Sequence, residues 1–321
     1  MSHVHVIHEN QEWTAPLYQQ LEALGVPYQD WFLNEGTLDL SKAPPEGVFY
    51  NRMSASSHTR GHRYSAEFTG AVLAWLERHG RRVLNNSGAL RLEISKVAQY
   101  AALEDHGIRT PRTVATLGRA AALEAARQFD GPFITKHNRA GKGLGVSLFR
   151  SVEALERHLD SPELETPIDG ILLLQEYIES PDATITRCEF VGREFLYAVR
   201  VDTSDGFELC PADACQVGDA FCPTTEAERP RFEILNGFHH PILDRVPQLL
   251  EEHGVHVAAL ELITDRQGQA YAYDLNTNTN YNSQAEAKTR FSGMGTLARY
   301  LGAELEMQTG QPYEPDLAQI A

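Results

Sequence analysis

The chain has 321 residues, 42 % of them hydrophobic and 22 % charged, a globular composition with room for two or three lobes. No stretch approaches the roughly 18 consecutive apolar residues of a membrane span, and the N-terminal "MSHVHVIHENQEW" lacks the basic and apolar regions of a secretory signal. A formal charge of −16 disfavours nonspecific binding to nucleic acid or anionic membrane, so a soluble, cytoplasmic protein with neither partner is expected.

Alternation in "HVHVIH" (3 to 8) predicts a strand, and the apolar spacing of "WTAPLYQQLEALGV" (13 to 26) a helix ending at Gly25. "GVFYNRM" (47 to 53) reads as a strand and "SAEFTGAVLAWLERHG" (65 to 80) as an amphipathic helix, the alternation of a small parallel sheet. Beyond it, "SGALRLEISKVAQYAALEDHGI" (87 to 108) carries one helical pattern, followed by the proline-punctuated strand "RTPRTVAT" and the helix "AAALEAARQF" (120 to 129). "SVEALERHLD" (151 to 160) predicts a helix and "GILLLQEYIES" (170 to 180) a buried apolar run. From residue 184 strands dominate. One hairpin turns at Gly192 and a second at Gly268, with "HPILDRVPQLLEEHG" helical between them. The fold class expected is α/β, with α+β lobes in the middle and at the end.

Two stretches carry chemistry. In "FITKHNRAGKGLGVSLFRS" (133 to 151) an apolar strand delivers Lys136 to a loop with Gly141, Gly143 and Gly145 and returns as a second strand. Glycine lets backbone amides approach an anion and lysine supplies charge, so the hairpin reads as a phosphate grip. It is neither a Walker A loop, because the lysine precedes the glycines and no helix follows directly, nor a Rossmann fingerprint. In the closing hairpin, Glu261 and Asp274 lie on adjacent antiparallel strands and Asn276 shares a face with Asp274. Two carboxylates and an amide oxygen form an oxygen-only donor set suited to Mg²⁺, with phosphate oxygens completing the shell. The cysteines, Cys188, Cys210, Cys215 and Cys222, lack the C-x2-C spacing of zinc sites, and reduced thiols are expected.

Taken in order, these motifs resemble the ATP-grasp superfamily, in particular its branch of ribosomal-protein-S6 modification enzymes and glutathione-synthetase-type carboxylate–amine ligases. The resemblance runs through "YNRMSASSHTRGHRYSAEF", "NNSGALRLEISKVAQYAALEDHGIRTPRT", the glycine hairpin, "LLLQEYI", "RCEFVGREFLYAVR" and "YDLN". It implies a three-lobed architecture that clasps ATP. The lobes are an N-terminal domain at 1–95 with a small parallel sheet, a central lobe at 96–180 with the glycine flap, and a C-terminal lobe at 181–321 with the metal site.

The resemblance also implies roles. Lys96 and Lys136 reach the ATP phosphates beneath the flap of Gly141, Gly143 and Gly145, while Gln175, Glu176, Tyr177 and Ile178 meet adenine. Asp182 or Glu179 binds ribose, and Arg187 and Arg200 neutralise phosphate or the developing intermediate. Glu261, Asp274 and Asn276 hold Mg²⁺, with Mn²⁺ as the alternative ion. Asn51, Arg52, Ser54, Ser57, Thr59, Arg60 and Asn278 are candidates for the substrate pocket, against the bland reading of a serine-rich loop with a helix N-cap. His58 and His62 are incidental loop histidines on this reading. The sequence departs from the family where aspartate 274 stands for a glutamate and where "NTNTNYN" replaces the usual tail after the metal asparagine, so substrate specificity is not carried over. The implied activity is Mg·ATP-dependent joining of a small-molecule or peptide carboxylate to an amine through an acylphosphate, in an assembly of the oligomeric kind common in the family. The alternatives are a small-molecule kinase of the same fold and a nucleotide-binding scaffold without turnover.

Overall fold

The computed structural model describes residues 2–141, 143, 145–162, 164–204 and 231–310. Cys210, Cys215 and Cys222 lie outside the described residues, while Cys188 is a buried free thiol whose pKa burial pushes up to about 12.

The first sheet is parallel, in the order β2-β1-β3-β4, formed by β1 (His3–His8), β2 (Tyr28–Phe32), β3 (Gly47–Asn51) and β4 (Arg82–Leu84). Helix α1 (Gln11–Ala23) starts where the Asn10 side chain accepts the Trp13 N–H at 3.0 Å, and α2 (Ser65–Arg78) covers the opposite face. The His/Val alternation of β1 suggests one polar face, yet both faces are buried. Val4 and Val6 enter one core, and His5 stacks on Phe49 at 4.4 Å on the other side. Parallel strands covered by helices on both faces have no solvent side to alternate with.

The helical pattern at 87 to 108 is two helices, α3 (Ser87–Glu93) and α4 (Lys96–Asp105). Ser95 is extended and caps α4 through its hydroxyl, and Asn138 accepts the N–H groups of Lys96 and Val97 at 3.1 and 3.0 Å. Exchanging intrahelical bonds for these caps breaks the pattern at the residue that aims Lys96.

The second sheet is antiparallel, in the order β5-β8-β6-β7, made of β5 (Thr113–Leu117), β6 (Phe133–His137), β7 (Ser147–Phe149) and β8 (Ile171–Glu176). Helices α5 (Arg119–Ala126) and α6 (Val152–Leu159) close its core around Leu123, Phe133, Leu155 and Leu174.

The third sheet is antiparallel, in the order β11-β10-β9-β12-β13. Its strands are β9 (Thr184–Val191), β10 (Glu194–Asp202), β11 (Phe232–Leu235), β12 (Val257–Thr264) and β13 (Ala270–Asn276). One face packs Cys188, Phe190 and Leu260 against Leu92 of α3, Leu103 of α4 and Leu249 of α7 (Val246–Glu252). The stretch read as one helix at 240 to 254 opens with a 3-10 turn at Pro241–Asp244 before α7, since two prolines interrupt the N–H series.

After the third sheet come α8 (Ser283–Glu286) and α9 (Gly293–Thr309). α9 crosses back to the first sheet, where Leu297 and Leu301 pack with Val4, Leu17 and Val48. Leu301 is fully buried, so Leu301→Ala is expected to lose about 3 kcal/mol of stability through the cavity it leaves. Urea unfolding of the variant checks this, and a loss below about 1 kcal/mol would mean that α9 is only loosely docked.

Candidate active site

The three sheets surround one cavity of about 640 Å³, lined from every lobe. Its floor is the second face of the third sheet. Glu261 of β12 lies directly opposite Asp274 of β13, and Asn276 follows two residues on, its Nδ2 donating to Glu261 Oε1 at 3.2 Å. Alternation along β9 puts Arg187 and Glu189 on the same face, where both are buried. Arg187 donates to Glu189 Oε1, Glu261 Oε1 and Thr279 Oγ1, each at 2.6 Å. Burial works against the guanidinium charge, but the two carboxylates outweigh it and hold Arg187 above its ordinary range.

Lys96, at the first turn of α4, places Nζ 2.6 Å from Asp274 Oδ1 and is buried, unlike an ordinary helix lysine. Lys136 of β6 stands beside it, its Nζ 3.4 Å from Gln175 Oε1 and 3.3 Å from the Tyr273 carbonyl, with the Tyr100 ring at 5.2 Å. Gln175 is held in turn, its Nε2 donating to Tyr100 Oη and Thr113 Oγ1. Burial first, then the charge of Lys96, lowers Lys136 to about 7.

Gly141 and Gly143 line the cavity, and Gly143 needs its positive φ of 74°. Gly145 is not part of the lining. It packs on His137, which a Cβ there would meet at 2.7 Å. Glu176, Tyr177, Ile178 and Glu179 form the wall between the second and third sheets. The Tyr177 N–H is already taken by the Pro132 carbonyl at 3.1 Å, and Glu176 Oε1 accepts the Arg112 N–H at 2.7 Å. Asp182 is not in the lining, whereas Glu179 is, with its carboxylate on Arg266 at 2.8 Å. Arg200 also stands apart, half-exposed and paired with Glu233 of β11.

The far end of the cavity belongs to the first lobe. Ser54, Ala55, Ser56 and Trp13 line it together with Asn278 and Asn280. The remaining residues of the serine-rich stretch are committed elsewhere. Asn51 donates to the Asn85 carbonyl at 2.9 Å, Ser57 is buried off the cavity, and Thr59 bonds the Ser56 carbonyl in a 3-10 turn. Arg60 is paired with Glu9 at 2.5 Å and stacks over Trp13 at 4.7 Å. His62 joins the same Glu9, and His58 reaches the Ala55 carbonyl. No side chain of this stretch caps α2.

Glu93 escapes sequence reasoning altogether. This buried acid of α3 accepts the N–H of Ala55 at 3.1 Å and those of Thr277 and Asn278 at 2.7 and 3.3 Å, joining the serine loop to the loop after β13. Burial raises its pKa. The available signal is a lone carboxylate inside the apolar run "ALRLEI". Asn280 and Tyr273 are likewise cavity residues found only in the structure.

Among the described residues no three His, Cys, Asp or Glu side chains converge as a metal cage. Glu261, Asp274 and Asn276 offer two carboxylates and an amide oxygen, hard donors that leave several positions open. That set fits Mg²⁺ completed by phosphate oxygens and water.

No protein-family model matches the chain. An α-aminoadipate–LysW ligase LysX of Sulfurisphaera tokodaii is 29 % identical over 105 residues, 32 % of this chain and 37 % of that protein. A glutamate–LysW ligase ArgX of Sulfolobus acidocaldarius is 30 % identical over 145 residues, 44 % of this chain and 50 % of that protein. The chain thus spans half or less of the length of these curated relatives. Among solved structures, the ATP-grasp ligase PsnB complexed with its minimal precursor superposes with a TM-score of 0.66 at 18 % identity, over 96 % of this chain and 99 % of that one. The chain therefore has the ATP-grasp fold. The two curated relatives given above are both named as LysW ligases. No described helix is long and apolar enough to cross a membrane.

Lys136 sets a pH dependence. With a pKa near 7 in place of 10.5, it is largely neutral at pH 8, and an arriving polyanion raises it again. Binding of a polyanion such as ADP at Lys136 is therefore expected to take up a proton at pH 8 but little at pH 6, and to weaken as pH rises through 7. Calorimetry of ADP binding in buffers of different ionisation enthalpy measures the uptake, which Lys136→Met should remove. Equal proton counts at both pH values would refute the assignment.

Proposed function

We propose that this protein is an ATP-dependent carboxylate–amine ligase. The observation that carries the reading is the convergence of Lys96, Lys136 and Arg187 with Glu261, Asp274 and Asn276 in one interlobe cavity. The curated relatives are named as LysW ligases of α-aminoadipate or glutamate, and PsnB has also been solved with its precursor, Mg and ADP. The lobes proposed are 1–95, 96–180 and 181–321, and each of the three sheets is built within one of them.

Lys96 and Lys136 bind the ATP phosphates, with Gly141 and Gly143 over them. Tyr177 and Ile178 take the adenine, and Glu179 is favoured over Asp182 for ribose because it lines the cavity. Mg²⁺, held by Glu261, Asp274 and Asn276, would offset phosphate charge and orient the transferring group. A substrate carboxylate placed beside Ser54, Ser56 and Asn278 attacks the γ-phosphate, giving an acylphosphate and ADP. An amine then attacks the acyl carbon, forming the amide and releasing phosphate. Arg187 is the cation placed to balance charge at that centre, and Gln175 keeps Lys136 in position. Arg200 is left out of this scheme because it pairs with Glu233 off the cavity.

Hydroxylamine added to enzyme, Mg·ATP and pooled carboxylates should yield a hydroxamate whose mass names the acid. ADP release with a phosphorylated product and no hydroxamate would replace the ligase reading with a kinase. Asp274→Asn, checked for folding by circular dichroism, is expected to slow ADP release on the order of 100-fold or more. Undiminished turnover would remove Asp274 from the metal site.

A further inference from the structure

The described residues include three buried arginines, Arg52, Arg139 and Arg187. Arg139 has Glu67, and Arg187 has Glu189 and Glu261. Arg52, which heads the fully buried side chains by volume, has no such carboxylate. Its Nη2 donates to the Trp13 carbonyl at 3.1 Å and Asn280 Oδ1 at 2.9 Å, while Nε and Nη1 are buried without a hydrogen-bond partner. The hydroxyls of Tyr50 and Tyr281, which share a buried cluster, are also unpartnered, and the Arg52 charge acts on both, together with Glu93 at Tyr50 and Glu189 and Glu286 at Tyr281. The guanidinium and the two phenols thus all hold buried donors without a hydrogen-bond acceptor. Trp13 and Asn280, the residues that hold Nη2, both line the cavity, so the guanidinium lies one layer behind its wall at the end bounded by Ser54 and Ser56.

We infer that Arg52, with the hydroxyls of Tyr50 and Tyr281, anchors a non-reacting carboxylate of a substrate, which enters from the cavity by displacing the Asn280 amide. The ligase reading supplies only the identity of that ligand as a substrate. A buried guanidinium without a counter-ion is costly, and truncating it removes a cost that a ligand otherwise offsets. A carboxylate has about four lone-pair sites, enough for all three donors, whereas the Asn280 oxygen is a neutral placeholder. The site therefore selects substrates that carry a carboxylate besides any group that reacts. That carboxylate belongs either to the acid that is activated or to the amine that attacks.

Thermal unfolding against succinate, which has no amine, and against L-alanine, which has one, tests the site without turnover, with sodium chloride at matched ionic strength as the reference. The wild type should gain on the order of 5 °C at about 100 times the dissociation constant. A shift with succinate assigns the anchored group to the acid, and one with L-alanine alone assigns it to the amine. Arg52→Met should abolish the shift, leave ADP affinity within twofold, and unfold at the same or a higher temperature than the wild type without ligand. The Tyr50→Phe, Tyr281→Phe double variant should unfold at the wild-type temperature and need about 10-fold more carboxylate for half-saturation. The inference is overturned if neither probe shifts the wild type beyond chloride, or if Arg52→Met alone unfolds several degrees lower. A carboxylate shift without hydroxamate formation would keep the anchor and discard the ligase reading.

Discussion

The structure is organised around a buried, ion-paired floor. Three basic groups, Lys96, Arg187 and Lys136, the last with its charge weakened by burial, face three acids, Glu189, Glu261 and Asp274, across β9, β12, β13, α4 and β6. Removing either partner of such a buried pair leaves an uncompensated charge, at a cost of several kcal/mol. The three lobes therefore have to meet in one geometry. Lys136 is the weakest member of the set, since its Nζ rests on neutral oxygens and two aromatic faces where the other cations have carboxylates. The floor can thus receive added negative charge at that point with little rearrangement elsewhere.

The scaffold enforces this arrangement by simple means. Strand alternation turns Arg187 to the cavity, with Glu189 on the same face bonded to it, and Cys188 and Phe190 to the core behind, so one strand serves both. The broken helix at Ser95 aims Lys96, and the Asn138 side chain that caps it belongs to the same hairpin as Lys136. The two lysines are set by one local structure, although 40 residues separate them in the chain. Glu93 extends the principle to the other side of the cavity, where its carboxylate gathers backbone N–H groups from two loops distant in sequence.

Period and turn chemistry made much of the fold legible. The strand at 3 to 8, the hairpins at Gly192 and Gly268 and the helix at 65 all lie where alternation and glycine put them. β2, the short β11 and α9 were not legible. Half of β2 faces outward without a clean period, and α9 is apolar at positions whose partners lie toward the other end of the chain. At the site, Lys136, Glu261, Asp274 and Asn276, the residues proposed for phosphate and metal, were readable from the sequence, and the structure brings them to one cavity. Arg187 and Arg200 lie on one hairpin, and only the register shows that Arg200 meets Glu233 on the outer strand while Arg187 meets Glu261. Glu93 and Asn280 work through backbone and loop contacts that leave no pattern in a single sequence.

The return of α9 to the first sheet bears on how the molecule is made. On the ribosome the strands of the first sheet emerge early, whereas the helix that buries Val4, Val48 and Leu17 is translated roughly 250 to 300 residues later. At about 5 to 20 residues per second, that face stays uncovered for many seconds, an opportunity for aggregation or for a chaperone. The lobe synthesised first is therefore among the last to be finished, and the wall it contributes to the cavity closes only when the rest of the machinery is already in place.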